Sequence, residues 1–162
     1  MHDYSTSKTE RIMLREEWEE WIRDFSDWKY FITLTFGTEG IVTRDQAENS
    51  FRFLVQVLNQ DLYRNHYMRI VGHSYFSYVV GFEHQKRGTL HMHVLVDQPI
   101  KFSLVHFIWQ KIAGWAWIVP VTDLNKAVSY ISKYVAKEGD LVVWKQRNFK
   151  LPSFVPMWFS GK

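Results

Sequence analysis

Cysteine is absent from the 162 residues, which excludes a disulfide framework and any thiolate zinc site, so a metal could be held only by histidine and carboxylate side chains. Long hydrophobic runs are missing too. Nothing approaches the roughly 20 apolar residues that span a bilayer, and the N-terminal MHDYSTSKTERIMLREEWEEW has no apolar signal core, so a soluble, intracellular protein is expected. Repeats, low-complexity tracts and domain linkers are lacking, and one domain over 1–162 is expected. Charge of one sign is not in large excess: the net charge is +3, which permits a polyanionic partner without requiring one.

Material for a core is plentiful. Hydrophobic residues reach 46% and aromatics 17%, which excludes a disordered chain. Acidic residues crowd Glu10–Asp27, whereas Lys126, Lys133, Lys137, Lys145, Arg147 and Lys150 gather towards the C-terminus, where they could hold a phosphate backbone or simply form a solvated face.

Trp18, Trp21, Ile22, Phe25 and Trp28 recur at helical spacing, predicting a helix over 8–26. Lys29–Phe36 reads as a strand ending towards Gly37 and Gly40. Thr43 to Gln46 form a capping box before a helix with Phe51, Leu54, Val55, Leu58 and Leu62 on one stripe. Strands over Ser74–Glu83 and Leu90–Asp97 flank a glycine-containing hairpin loop, and a helix over Ser103–Trp115 ends near Gly114. Trp117–Val121 reads as a short strand broken by Pro120, and Leu124–Glu138 as a helix capped by Asp123 and stopped by Gly139. The order is helix, β-α-β-β-α-β, helix. It predicts an α+β fold: an antiparallel sheet with a ferredoxin-like split βαβ core, helices packed on one face, and the last helix carrying paired tyrosines. Residues 141–162 form an extension that begins as a strand and is too apolar for a free tail.

Side chains alternate faces along a strand, so His91 and His93 point to the same side, and a hairpin brings Glu83 beside them. Two imidazoles and a carboxylate could bind one cation with positions left open, as a catalytic metal needs, and Mg²⁺ or Mn²⁺ suits phosphate chemistry. His84 points to the other face. On the last helix Tyr130 and Tyr134 are neighbours at i, i+4, with Lys133 and Lys137 as nearby cations. A tyrosine hydroxyl titrates near 10 when unperturbed, so as a nucleophile it needs a base or a cation; packing along a helix edge is the plainer reading of the pair.

The set FITLTF, EHQKRGTLHMH and YISKYVAKEGD, covering Phe31 to Asp140 in that order, resembles the three motifs of HUH endonucleases, the rolling-circle replication initiators of viruses, phages and plasmids. The resemblance implies that Glu83, His91 and His93 hold a divalent ion. It also implies that Tyr134 attacks a scissile phosphate of single-stranded DNA, at an origin or hairpin stem-loop, leaving a 5′-phosphotyrosine and a free 3′-hydroxyl. Tyr134 with Lys137 is similar to the single-tyrosine motif, whereas Tyr130 with Tyr134 resembles the two-tyrosine motif, in which Tyr130 would perform a second transfer. Thr33 and Thr35 on the first strand, and Lys86 and Arg87 in the hairpin, are candidate DNA contacts.

No G-x-x-x-x-G-K-[ST] loop occurs, so unwinding and synthesis would fall to a host or viral helicase and polymerase, in the host cytoplasm, or the nucleus for a eukaryotic virus. A stand-alone initiator and an endonuclease domain of a longer chain both fit. Three other functions share parts of the pattern: an HUH transposase or relaxase, a non-catalytic nucleic-acid-binding module, and a phosphodiesterase using metal-activated water.

Overall fold

A computed structural model of the protein describes residues 7–37, 41–64, 74–86, 88–138, 141–147 and 149–159. Its elements are α1 (Lys8–Phe25), β1 (Tyr30–Phe36), α2 (Arg44–Tyr63), β2 (Tyr78–His84), β3 (Leu90–Val96), α3 (Phe102–Ile112), β4 (Gly114–Pro120), α4 (Leu124–Glu138) and β5 (Leu141–Trp144). The strands form one sheet in the order β4-β1-β3-β2-β5, with every neighbouring pair antiparallel. This is the expected split βαβ order, extended by β5 at the β2 edge.

Alternation along the strands gives the sheet two different faces. Ile32, Leu34 and Phe36 of β1, with Val80 and Phe82 of β2 and Met92 and Val94 of β3, join Phe51, Leu54 and Leu58 of α2 and Val105 and Trp109 of α3 in the larger core. The two helices within the split βαβ thus share one face, as expected. The flanking helices take the other: Ile22 of α1 and Val128, Ile131 and Val135 of α4 pack on Val79 and Leu95.

Local chemistry explains the helix ends. Ser7 and Glu10 make a reciprocal capping box at α1, and Thr43 and Gln46 make the expected one at α2. The Asp123 Oδ1 accepts the Lys126 N–H at 3.0 Å, capping α4. Trp28 lies beyond α1 but still joins its stripe, because its indole N–H donates to the Ile22 carbonyl at 2.7 Å.

Three boundaries differ from the sequence reading. Ser74–Ser77 are not strand, because side chains satisfy their backbone: Asn59 accepts the Tyr75 N–H, Ser74 the Phe76 N–H, and Asp97 the Ser77 N–H. The third helix stops at Ile112, and β4 already begins at Gly114, where a Cβ would stand 2.4 Å from the Thr35 carbonyl oxygen. Only glycine lets the chain turn back against β1 there. Pro120 closes β4 rather than breaking it, since β4 is the sheet edge and its outer side has no ladder to lose.

The extension contributes to the fold. After β5, Phe149 and Phe159 pack around Tyr75 at ring separations of 5.9 and 5.8 Å, and the Tyr63 hydroxyl donates to the Lys150 carbonyl. No helix among the described residues is long and apolar enough to cross a membrane.

Candidate active site

The central strand β3 carries His91 and His93 onto the face covered by α1 and α4, with β1 and β2 on either side. Register places Glu83 opposite His91 and Gly81 opposite His93. Gly81 presents no side chain to that spot, so α4 crosses close above it: a Cβ there would lie 3.5 Å from the Ile131 carbonyl and 3.7 Å from the Tyr134 Cβ. The Glu83 carboxylate leans diagonally across and accepts the His93 Nε2–H at 2.9 Å. On the other side the Thr33 hydroxyl, directly opposite His93 in register, approaches Nδ1 at 3.4 Å.

His93 is only 2% exposed and lies in an aromatic enclosure. The Tyr134 ring stacks on it at 4.9 Å, the Tyr130 ring meets it edge-on at 5.0 Å, and Phe31 stacks at 5.9 Å. The two tyrosine hydroxyls are 3.3 Å apart, and that of Tyr134 also hydrogen-bonds Glu83. Exposure separates the pair: Tyr134 is 4% exposed and Tyr130 42%.

The protonation states follow from these contacts. Burial pulls the His93 pKa below its ordinary value despite the opposing pull of Glu83, and burial lowers His91 likewise, so both imidazoles are neutral at neutral pH. Burial opposes ionisation of Glu83, but hydrogen bonds from His93 and Tyr134 and the nearby imidazoles outweigh it and hold the carboxyl below its usual range. Burial first, then the hydrogen bonds to Tyr130 and Glu83, push the Tyr134 hydroxyl far above the usual tyrosine range.

Of the residues singled out in sequence, Glu83, His93, Thr33, Tyr130 and Tyr134 are in direct contact. His91 shares the face but its ring centroid is 6.4 Å from that of His93, and its Nδ1 is 3.4 Å from the Gln85 amide. Among the described residues no group of three His, Asp or Glu side chains converges as a ready metal cage. The donor set nonetheless fits a divalent cation chemically: two neutral imidazoles and an ionised carboxylate lie on one face. Lys133 sets its ammonium 5.1 Å from the Tyr134 ring centroid, while Lys137 is exposed further along α4. Thr35 is half-buried opposite His91. Lys86 is exposed in the hairpin turn closed by Gly88 at φ 81°, Arg87 lies outside the described residues, and His84 is exposed.

The sequence reading missed Phe31, Gly81 and Gln85. Register arithmetic could have found the first two: Phe31 lies two residues before Thr33 on the same face, and Gly81 lies two before Glu83.

A family model described as replication-associated protein ORF2 matches residues 29–139, from the threshold of β1 to the end of the tyrosine helix. No curated protein and no solved structure gives a significant match.

Proposed function

The chain belongs to the replication-associated protein ORF2 family, and from that premise we propose that it is a replication-initiating, HUH-type endonuclease that nicks single-stranded DNA through a tyrosine ester. One observation carries the reading: Tyr134 and Tyr130 lie against His93 with their hydroxyls 3.3 Å apart, beside the ionised Glu83. Packing alone would explain two rings; it does not explain why two hydroxyls, a buried neutral imidazole and a carboxylate share one spot on a DNA-replication protein.

The chemistry is a transesterification. The Tyr134 oxygen bonds to phosphorus, the bond from phosphorus to the 3′ oxygen breaks, the phenol gives up one proton and the 3′ oxygen takes one up. One phosphodiester replaces another, so the step needs no water and is reversible by the freed 3′-hydroxyl. Glu83, His91 and His93 would hold a divalent cation, Mg²⁺ or Mn²⁺, which when bound supplies positive charge to the phosphate oxygens. Thr33 fixes the orientation of His93, and Lys133, with Lys137 further along the helix, offers cationic charge to the ester oxygens and the nascent tyrosine ester. The buried Tyr134 hydroxyl must leave Glu83 to attack. Tyr130, more exposed and one turn away, is placed for the return transfer; its exposure also favours a second reading in which it attacks first.

The test is a 3′-labelled single-stranded library of randomised sequence incubated with the protein and Mn²⁺, followed by denaturing electrophoresis and mass spectrometry of the linked peptide. A covalent adduct on Tyr134 that disappears in Tyr134→Phe and in chelator is expected. Adduct confined to Tyr130 would move the first attack to that residue, and cleavage without any adduct would mean water is the nucleophile.

A further inference from the structure

Beside the site, a pocket of about 360 Å³ opens between β1, β4 and the start of α4, and its lining includes Phe31, Thr33, Trp117, Asp123, Lys126 and Tyr130. Tyr130 and Thr33 belong to both the pocket and the His93 enclosure, so the two are continuous. Trp117 stands opposite Thr33 in register and is 68% exposed, an unusual position for a tryptophan on a sheet. The walls are therefore flat and apolar, while Thr33, Asp123 and Lys126 provide hydroxyl, carboxylate and ammonium groups at the edge. The size falls in the range of small-ligand sites, roughly 300–1,000 Å³.

We infer that this pocket receives one unpaired nucleobase of the single-stranded DNA, stacked on Trp117, and so fixes which phosphate lies at Tyr130 and Tyr134. A strand whose phosphate reaches Tyr130 must place the adjoining nucleotide along this face, and an aromatic platform rimmed by polar groups suits a base rather than a phosphate. A paired base has its edge and both faces occupied and cannot enter. The inference rests on the nicking reading only for the choice of single-stranded DNA as ligand. Trp115, two residues earlier on β4 and 70% exposed, is outside the pocket lining and serves as the control.

The experiment measures the affinity of the full chain for a single-stranded dT15 probe and for a 15-base-pair duplex, in wild type, Trp117→Ala, Trp117→Phe and Trp115→Ala, with melting temperatures to verify folding. Loss of one stacking platform predicts roughly 10-fold weaker dT15 binding in Trp117→Ala with the salt dependence unchanged, since no phosphate contact is removed. Trp117→Phe and Trp115→Ala should stay within about 3-fold of wild type on the same grounds. Equal affinity in wild type and Trp117→Ala, an equal loss in Trp115→Ala, absence of dT15 binding by wild type, or duplex binding as tight as dT15 binding would each overturn the inference. The adduct assay keeps the two readings apart. A Trp117-dependent affinity without any adduct sinks the nicking reading alone, and an adduct with no Trp117 dependence of binding sinks the pocket alone.

Discussion

Tyr134 shows what a single hydroxyl gains and loses by burial. Its ring is fixed by His93, its oxygen by Tyr130 and Glu83, and its ionisation is driven far above the ordinary value near 10. Burial raises Tyr75 and Tyr78 as well, and Tyr63 by the same cause. For an acid whose folded pKa exceeds its unfolded one, the stabilisation is complete below the unfolded value and is lost as pH rises towards the folded value. Absorbance titration near 295 nm should therefore show two steps: exposed tyrosines first, then Tyr63, Tyr75, Tyr78 and Tyr134, with the most deeply buried of these ionising together with loss of the near-ultraviolet circular dichroism. A single step near pH 10 with the fold intact would contradict the burial of these hydroxyls. Gly81 acts by what it lacks. Its absent side chain leaves ordinary contact distance to α4, so Gly81→Ala should preserve DNA binding and adduct formation, whereas Gly81→Val should displace the helix and reduce adduct formation at least roughly 10-fold, the scale on which about 1 Å of misplacement is felt.

At the scale of elements, α4 is held from two directions. Its stripe of Val128, Ile131 and Val135 rests on the sheet, and Arg15 of α1 donates to the Ser129 carbonyl and hydroxyl at 3.2 and 2.6 Å, while Glu19 accepts from Ser132. Helix α1 precedes the region matched by the family model, yet it braces the helix that carries both tyrosines. The turn from α3 into β4 is equally tight. Gly114→Ala would push a methyl into the Thr35 carbonyl, and chemical denaturation should register a loss of about 1–3 kcal/mol, the usual cost of overpacking. Most of this was legible in sequence where periodicity or capping chemistry is strong: the Thr43 box, the Val128, Ile131 and Val135 stripe and the His91/His93 alternation all stand as read. What escaped depends on partners distant in sequence. Asn59 and Asp97 satisfy the backbone of 75–77 and end the strand early, and Glu83 prefers the diagonal His93 over its register partner His91 because Gly81 leaves room. Neither can be read from local spacing.

In the whole molecule, the extension completes the fold. Strand β5 pairs with β2, and Phe149 and Phe159 pack about Tyr75, with Phe159 buried. Truncation after Trp144 would expose this apolar surface; at roughly 1.5–3 kcal/mol for a buried phenylalanine the melting temperature should fall by about 5–10 °C in calorimetry, and a truncated form as stable as the full chain would refute the assignment. The two faces of the sheet have consequences beyond folding. Residues at even positions of β1, Ile32, Leu34 and Phe36, touch only the hydrocarbon side, while Phe31 and Thr33 meet the chemistry. The sheet is thus a partition between two independent design problems. Thermostability can be tuned behind it, through α2 and α3, without altering what DNA is recognised. Recognition can drift in front of it, around β4 and α4, while the scaffold stays the same, and a single residue's step along any strand decides which of the two is changed.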